Sequence, residues 1–198
     1  MSTAVAISQP TENEWKQPSR GIVGMACLIA AESAIFIIFV VAYIFYIGKS
    51  LSGPTPREVL DLPILSTICL LSSSITVHLA VHELRAAKVS LSAWWLAATV
   101  LLGGIFIAGT ATEWYRLIYH DGLTIRTNLF GTTFYSLVGL HASHVIAGLI
   151  MLGLALIFSL MGKVNSSHAE RLEVLSIYWH FVDAVWVVVF TVVYVLGR

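Results

Sequence analysis

Near its C-terminus the chain runs Tyr178-Trp179-His180-Phe181-Val182-Asp183-Ala184-Val185-Trp186, so that a histidine and an aspartate stand inside an apolar run that continues to Leu196. A charged side chain at the bilayer centre costs roughly 2.5–3.5 kcal/mol on insertion scales, so such groups usually face protein, pair with each other or line a polar path. His180 and Asp183 are three residues apart and share one face of a helix. We therefore expect them to satisfy one another, or to point together at one partner helix.

The composition places the whole chain in a membrane. Of its 198 residues, 58% are hydrophobic and 11% are charged, whereas soluble domains are roughly 25% charged. A helix needs about 20 apolar residues to span a bilayer. The sequence predicts an all-α polytopic membrane bundle of about five transmembrane helices, at residues 21–48, 62–86, 91–118, 130–161 and 174–197. Too little chain remains for a soluble domain, so we expect a polar tail at residues 1–20 and a single transmembrane helical domain at residues 21–198.

The charges exclude one function class and orient the bundle weakly. The net charge is zero and the cations are scattered, without the basic patch that nucleic-acid binding requires. The polar tail lacks the apolar segment of a cleavable signal peptide. The N-terminal side holds six cations and the opposite side five, which favours a cytoplasmic N-terminus and an external C-terminus. The six are Lys16, Arg20, Arg85, Lys88, Lys163 and Arg171, and the five are Lys49, Arg57, Arg116, Arg126 and Arg198.

Two carboxylates in the spans are candidate functional groups. Glu32 lies about eleven residues into the first span, roughly 16 Å deep and near the bilayer middle. Two hypotheses stay open for it: a proton or ion path, or a neutral carboxyl that hydrogen-bonds a neighbouring helix and locks the bundle. Glu113 falls near an interface, three residues before Arg116, and we predict a structural ion pair between them. Cys27 and Cys69 are predicted to be small buried thiols with no disulfide or metal role.

Three histidines in the last two spans raise a metal hypothesis. His141 and His144 are three residues apart, and imidazole is a common ligand of heme iron and copper. A histidine in a membrane bundle is more often a hydrogen-bonded packing residue, however, and we predict that role for both and for His180. A free-standing heme-binding electron carrier stays as the alternative of another class. A transporter is disfavoured because the sequence has no internal repeat and no mid-span proline.

Several segments share an order and spacing with a known family. They are Glu32-Ser33 in the first span, Pro63-Ile64-Leu65-Ser66-Thr67 in the second, Gly139-Leu140-His141-Ala142-Ser143-His144-Val145-Ile146-Ala147-Gly148 in the fourth, and the stretch at residues 178–186. Together they resemble subunit III of the heme-copper terminal oxidases, most familiarly cytochrome c oxidase subunit III, in its five-helix bacterial form. Val81 stands where the family usually has a histidine, and Thr110 stands where glutamine is common. These departures leave the subfamily open.

The resemblance implies a supporting role in an enzyme complex. It implies a non-catalytic subunit of a proton-pumping oxidase that reduces oxygen to water in aerobic respiration, with heme and copper held by partner subunits. The chain would pack against oxidase subunit I and other oxidase subunits, with structural phospholipid in a cleft, and sustain subunit I stability, proton uptake and oxygen access. A respiratory supercomplex is a further partner to consider.

The same resemblance implies a location and a set of site residues. The location is a bacterial cytoplasmic membrane, which the chain crosses several times. No residue of this chain is expected to be catalytic, to bind a cofactor or to bind metal. The proposed buried polar framework consists of Glu32, Glu113, His141, His144, His180 and Asp183. The alternatives within the family are a subunit III-like component of a quinol oxidase or of a nitric oxide reductase complex.

Overall fold

The computed structural model describes residues 19–50 and 53–197 and is helical along nearly all of them. Five helices are long and apolar enough to cross a membrane, so the chain is a multi-pass membrane protein. The helices are α1 (Arg20–Tyr46), α2 (Pro56–Val59), α3 (Ile64–Arg85), α4 (Val89–Tyr119), α5 (Leu129–Leu160) and α6 (Ala169–Phe190). A 3₁₀ turn, Ser166–His168, precedes α6, and a π-helical segment, Thr191–Leu196, follows it.

The predicted spans agree with the long helices, apart from the start of the last one. Hydropathy predicts that span from residue 174, but α6 begins at Ala169 and follows directly on the 3₁₀ turn. The side chain of Asn165 accepts a hydrogen bond from the Ser167 amide at 3.1 Å and so caps the turn. The first turns of α6 contain Glu170 and Arg171, and polar turns of this kind give no hydropathy signal although they are helical.

The connector between the first two spans contains one short helix. Its prolines and glycine predict a turn-rich loop, and one of its turns is the four-residue helix α2. The Glu58 carboxylate accepts a hydrogen bond from the Thr55 amide at 2.9 Å, and this bond lowers the pKa of Glu58 below its usual value. Of the predicted polar tail, residues 1–18 lie outside the described residues. Ser19 caps α1 by accepting a hydrogen bond from the Ile22 amide.

Four of the long helices form a closed bundle, and α1 lies outside it. Helix α3 packs on α4 and α6, and α5 packs on α4 and α6, whereas α1 contacts α5 and α6. The short connection between α3 and α4 makes them antiparallel neighbours. Thr76 and Thr99 join these two helices by a hydroxyl hydrogen bond of 2.8 Å, and Ser92 donates to the Ala80 carbonyl across the same interface.

Trp179 is the centre of the bundle. Its side chain is fully buried, and its indole N–H donates to the Ser73 hydroxyl at 2.8 Å. A Cβ placed on Gly103 of α4 or on Gly148 of α5 would lie within 3.0 Å of the indole ring. Both glycines therefore make room for one large side chain, and Trp179 joins three helices at one level.

Candidate functional site: the intramembrane polar framework

His180 and Asp183 meet a common partner on another helix. The Ser74 hydroxyl of α3 donates to Asp183 Oδ2 and lies 3.0 Å from His180 Nδ1. The other ring nitrogen, Nε2, is 3.2 Å from the Ser176 hydroxyl. Of the two arrangements expected from the sequence, the structure has the second, in which both groups point at one partner helix.

The hydrogen-bond chain has a direction. A serine hydroxyl has one hydrogen to donate, and that of Ser74 goes to Asp183. His180 Nδ1 must then donate to Ser74, and in a neutral ring Nε2 accepts from Ser176. Successive donors thus run from Ser176 through the imidazole and Ser74 to the carboxylate. Asp183 Oδ1 is buried with no partner among the described residues.

Glu32 is held by His144, across the α1–α5 interface. Glu32 Oε2 lies 3.1 Å from His144 Nε2, and both side chains are largely buried. His144 Nδ1 lies 2.8 Å from the Leu140 carbonyl, which can only accept, so Nδ1 donates there. A single proton is then shared between His144 Nε2 and Glu32. Phe36 packs edge-on against the imidazole, with ring centroids 5.0 Å apart.

His141 lies in an aromatic cage rather than a hydrogen-bonded network. It is fully buried, and its ring stacks on Trp186 with centroids 5.0 Å apart and an interplanar angle of 28°. Phe106 meets the ring edge-on at 5.8 Å. Neither ring nitrogen has a partner among the described residues. Within the described residues, His141 is therefore held by aromatic contacts and not by the hydrogen bonds that the sequence predicts for it.

The predicted ion pair between Glu113 and Arg116 is wrong. Glu113 Oε2 accepts a hydrogen bond of 2.9 Å from the Tyr194 hydroxyl, in the π-helical segment. Arg116 instead bonds Asp61 and donates to the Val59 carbonyl at 2.6 Å. Arg116 lies in the last turn of α4 beside the connector, where carboxylates are already exposed to water, whereas Glu113 faces the packed interior. Pairing Arg116 with a carboxylate of the connector therefore costs less desolvation than pairing it with Glu113 would.

Three partners in this framework could not be identified from the sequence: Ser74, Ser176 and Tyr194. The serine run of α3 indicates a hydrogen-bonding face, but nothing local distinguishes Ser74 from Ser72 or Ser73. The cysteines also differ from the prediction, since Cys27 is exposed and Cys69 only half-buried. Cys27 lies on α1, outside the four-helix bundle, where neighbouring helices do not enclose it.

The framework offers hydrogen bonding and proton sharing. Within residues 19–50 and 53–197, no three His, Cys, Asp or Glu side chains are grouped to hold a metal ion. His144 Nε2 is taken by Glu32, both nitrogens of His180 are taken by serines, and the His141 ring is stacked on Trp186. Heme ligation by His144 or His180 would break these hydrogen bonds.

Known proteins resemble this chain over nearly its full length. A family model described as Cytochrome c oxidase subunit III matches residues 18–198. The relative named "Cytochrome c oxidase subunit 3" of Bacillus sp. (strain PS3) is 32% identical over 190 residues, which cover 95% of this chain and 91% of the relative. The protein named "Probable quinol oxidase subunit 3" of Staphylococcus saprophyticus is 32% identical over 177 residues, 88% of each chain.

A third relative extends the same pattern. The protein named "Cytochrome c oxidase subunit 3" of Synechocystis sp. is 36% identical over 183 residues, which cover 90% of this chain and 77% of the relative. The family match includes every residue of the polar framework and all five long helices. With this match and these relatives, the chain belongs to the cytochrome c oxidase subunit III family.

Proposed function

We propose that this chain is the non-catalytic subunit III of a proton-pumping heme-copper terminal oxidase, which reduces oxygen to water in aerobic respiration. Membership of the family makes the chain a subunit of a multi-subunit oxidase complex. We further propose that heme and copper are bound by the partner subunits and that this chain binds neither.

The observation that carries this proposal is the way in which the three histidines of the last two spans are held. His144 shares a proton with Glu32, His180 is fixed between two serines, and His141 stacks on Trp186. An imidazole needs a free nitrogen lone pair directed at the iron to ligate heme. The ring nitrogens of His144 and His180 are occupied by hydrogen-bond partners, and the His141 ring is enclosed by Phe106 and Trp186. These contacts favour packing residues over ligands, and so favour a supporting subunit over a free-standing heme-binding electron carrier.

In the proposed supporting role, the chain acts on subunit I. The chain would pack against subunit I and sustain its stability, its proton uptake and the access of oxygen, with structural phospholipid beside Glu32. Helix α1 lies outside the four-helix bundle, and the Glu32–His144 contact attaches it to α5. We therefore infer that this pair holds α1 in place against lateral pressure from lipid.

The proposed setting is a bacterial cytoplasmic membrane, with the N-terminus in the cytoplasm. Among the described cations, Arg20, Arg85, Lys88, Lys163 and Arg171 lie at the proposed cytoplasmic end, against four at the other. Lys16 and Arg198, which complete the predicted count, lie outside the described residues.

The electron donor of the complex is proposed to be cytochrome c, with quinol as the second candidate. Relatives at the same 32% identity bear the names of both oxidase types. A place in a nitric oxide reductase complex is the third candidate, because the donor and the reaction are decided by other subunits.

Purification from the native membrane under mild detergent tests the proposal. We expect the chain to co-purify with a larger heme-containing partner and to be colourless once separated from it. Heme absorption retained by the separated chain would overturn the proposal and favour the electron carrier. Oxygen uptake by the complex with reduced cytochrome c or with a quinol then identifies the donor.

A further inference from the structure

A groove opens at the end of the bundle where α3 joins α4 and α5 joins α6. Its volume is about 430 Å³. The wall is mostly apolar and is built by Leu96 of α4, by Met151 and Leu154 of α5, and by Leu172 and Leu175 of α6. Helix α1, described over its whole length, contributes no residue to the lining, so the groove is separate from the Glu32–His144 contact. An apolar groove at this height of a membrane helix bundle suits a hydrocarbon chain.

Two cations without acidic partners stand at the rim of this groove. Lys163 and Arg171 line it, and neither forms an ion pair within the described part of the chain. The neighbouring cations behave differently, since Arg85 pairs with Glu173 at 2.5 Å and Lys88 pairs with Glu83 at 3.1 Å. The rim therefore presents two uncompensated positive charges, directly beside an apolar surface.

Local structure holds this rim in place. Gly162 follows the last turn of α5 with a φ of 71°, in the left-handed region. The Lys163 amide donates to the Phe158 carbonyl at 3.0 Å and closes that turn. Arg171 lies in the first turn of α6, whose start is fixed by the capped 3₁₀ turn. Both cations thus leave the backbone at ordered positions.

We propose that this groove binds a phospholipid with an anionic headgroup, with an acyl chain against the apolar wall and the phosphate between Lys163 and Arg171. Basic pockets between transmembrane helices at the headgroup level recognise anionic lipids through this combination of charge and apolar depth. Arginine can also hold a phosphate through two parallel hydrogen bonds. A zwitterionic lipid offers the same chain but weakens the attraction, because its own cation competes for the phosphate.

Native mass spectrometry of the assembled oxidase complex tests the proposal. The use of this complex as the sample rests on the proposed function. The complex is delipidated and titrated with phosphatidylglycerol, and bound lipid is counted. The double variant Lys163→Gln/Arg171→Gln should weaken one phosphatidylglycerol site by about thirtyfold, since each cation near a headgroup contributes about a five- to sixfold change. Phosphatidylcholine should bind the wild-type groove more weakly, and the variant should lower its binding little.

The matched control removes the same two charges at the opposite end. Lys49→Gln/Arg126→Gln changes one lysine and one arginine outside the groove and should leave the site intact. An equal loss of phosphatidylglycerol in the control, or equal binding of both lipids to the wild type, would show that the groove does not select an anionic headgroup. Displacement of phosphatidylglycerol by inorganic phosphate alone would also overturn the proposal, because it would mean that the acyl chain contributes nothing.

A second pair of variants tests the apolar half. Leu154→Trp replaces a half-exposed leucine of the groove by a bulkier side chain. Leu101→Trp makes the same change on the outer face of α4. Only the first should lower the occupancy of phosphatidylglycerol. Heme retention by the complex is recorded on the same samples. Equal binding of the two lipids to the wild-type complex, with heme and chain still together, would reject this site and leave the proposed function standing.

Discussion

At the scale of single residues, the polar groups in the spans depend on particular partners. Asp183 accepts from Ser74, Glu32 shares a proton with His144, and Glu113 accepts from Tyr194. A buried polar group that loses its partner costs about 1–3 kcal/mol, whereas removing both partners together is much cheaper. Variants that remove one or both partners therefore measure what each contact contributes.

Ser74→Ala leaves Asp183 and His180 without their common partner. We expect the free energy of unfolding to fall by about 1–3 kcal/mol, measured by chemical unfolding of the complex in detergent. Ser72→Ala removes a half-buried hydroxyl of the same helix that forms no hydrogen bond within the described residues, so it should change stability little. Ser74→Ala combined with Asp183→Leu should recover part of the loss. A double variant less stable than the sum of its single changes would contradict the role of Ser74 as partner.

Glu32→Ala removes the hydrogen-bond partner of His144 Nε2 and leaves that imidazole nitrogen unsatisfied in the membrane. We expect the heme spectrum of the assembled complex to stay intact. The chain should dissociate more readily, because its free energy of association with the complex falls by about 1–3 kcal/mol. The measurement is the amount of this chain that stays with the complex during detergent washing, together with proton uptake during turnover. Loss of a heme band in fully assembled complex would contradict the supporting role.

Glu32→Gln separates the two hypotheses for this carboxylate. The amide N–H₂ can donate to His144 Nε2, so the contact survives although the carboxyl group is gone. If the pair only holds α1, this variant should retain the chain and its proton uptake at nearly the wild-type level. If proton uptake falls as far as in Glu32→Ala while the chain is retained, the carboxylate belongs to a proton path.

At the scale of helices, close approach between α4, α5 and α6 depends on glycines that face Trp179. A Cβ on Gly148 would lie 2.8 Å from the indole ring, closer than a packed core tolerates. Gly153, five residues along the same helix, has no neighbour within 4 Å of such an atom. Substituting alanine at Gly148 and at Gly153 therefore compares the same change at a packed and at an open position of α5.

Gly148→Ala should destabilise the chain by about 1–3 kcal/mol through overpacking, in spite of the gain of up to about 1 kcal/mol in helix propensity. Gly153→Ala should be neutral or slightly stabilising. Thermal unfolding followed by the fluorescence of buried tryptophans reports both changes. Equal effects at the two positions would mean that the indole does not determine the helix spacing.

At the scale of the whole molecule, the arrangement is a closed four-helix bundle with α1 attached to its side. The polar contacts divide between the two parts, since Ser74, His180 and Asp183 lie within the bundle and the Glu32–His144 pair joins α1 to it. Loss of the first set should therefore loosen the bundle itself, whereas loss of the second should loosen only α1.

The proposed orientation of the molecule can be tested by cysteine labelling in whole cells. In a background with Cys27→Ala and Cys69→Ala, Arg126→Cys in the connection between α4 and α5 should react with a membrane-impermeant maleimide added from outside. Lys88→Cys, in the connection between α3 and α4, should react only after the cells are opened. The reverse pattern would place the N-terminus outside.

The sequence by itself determined the number of spans, their approximate limits and the family, because long apolar runs and ordered motifs such as residues 178–186 are local properties of the chain. It also showed which ionisable groups lie inside the spans. The polar turns at the start of α6 could not be predicted from hydropathy, since helix that extends beyond the apolar region is set by the cap at Asn165 and gives no apolar signal.

Only the tertiary structure decided the partners. Whether Asp183 meets His180 or Ser74, and whether Glu113 meets Arg116 or Tyr194, depends on how each helix is rotated about its axis and where it crosses its neighbours. Those quantities are set by packing, for instance by the fit of Trp179 between Gly103 and Gly148, and packing joins residues far apart in sequence. A spacing of three residues shows which side chains share a face, but the neighbouring helix determines what that face meets.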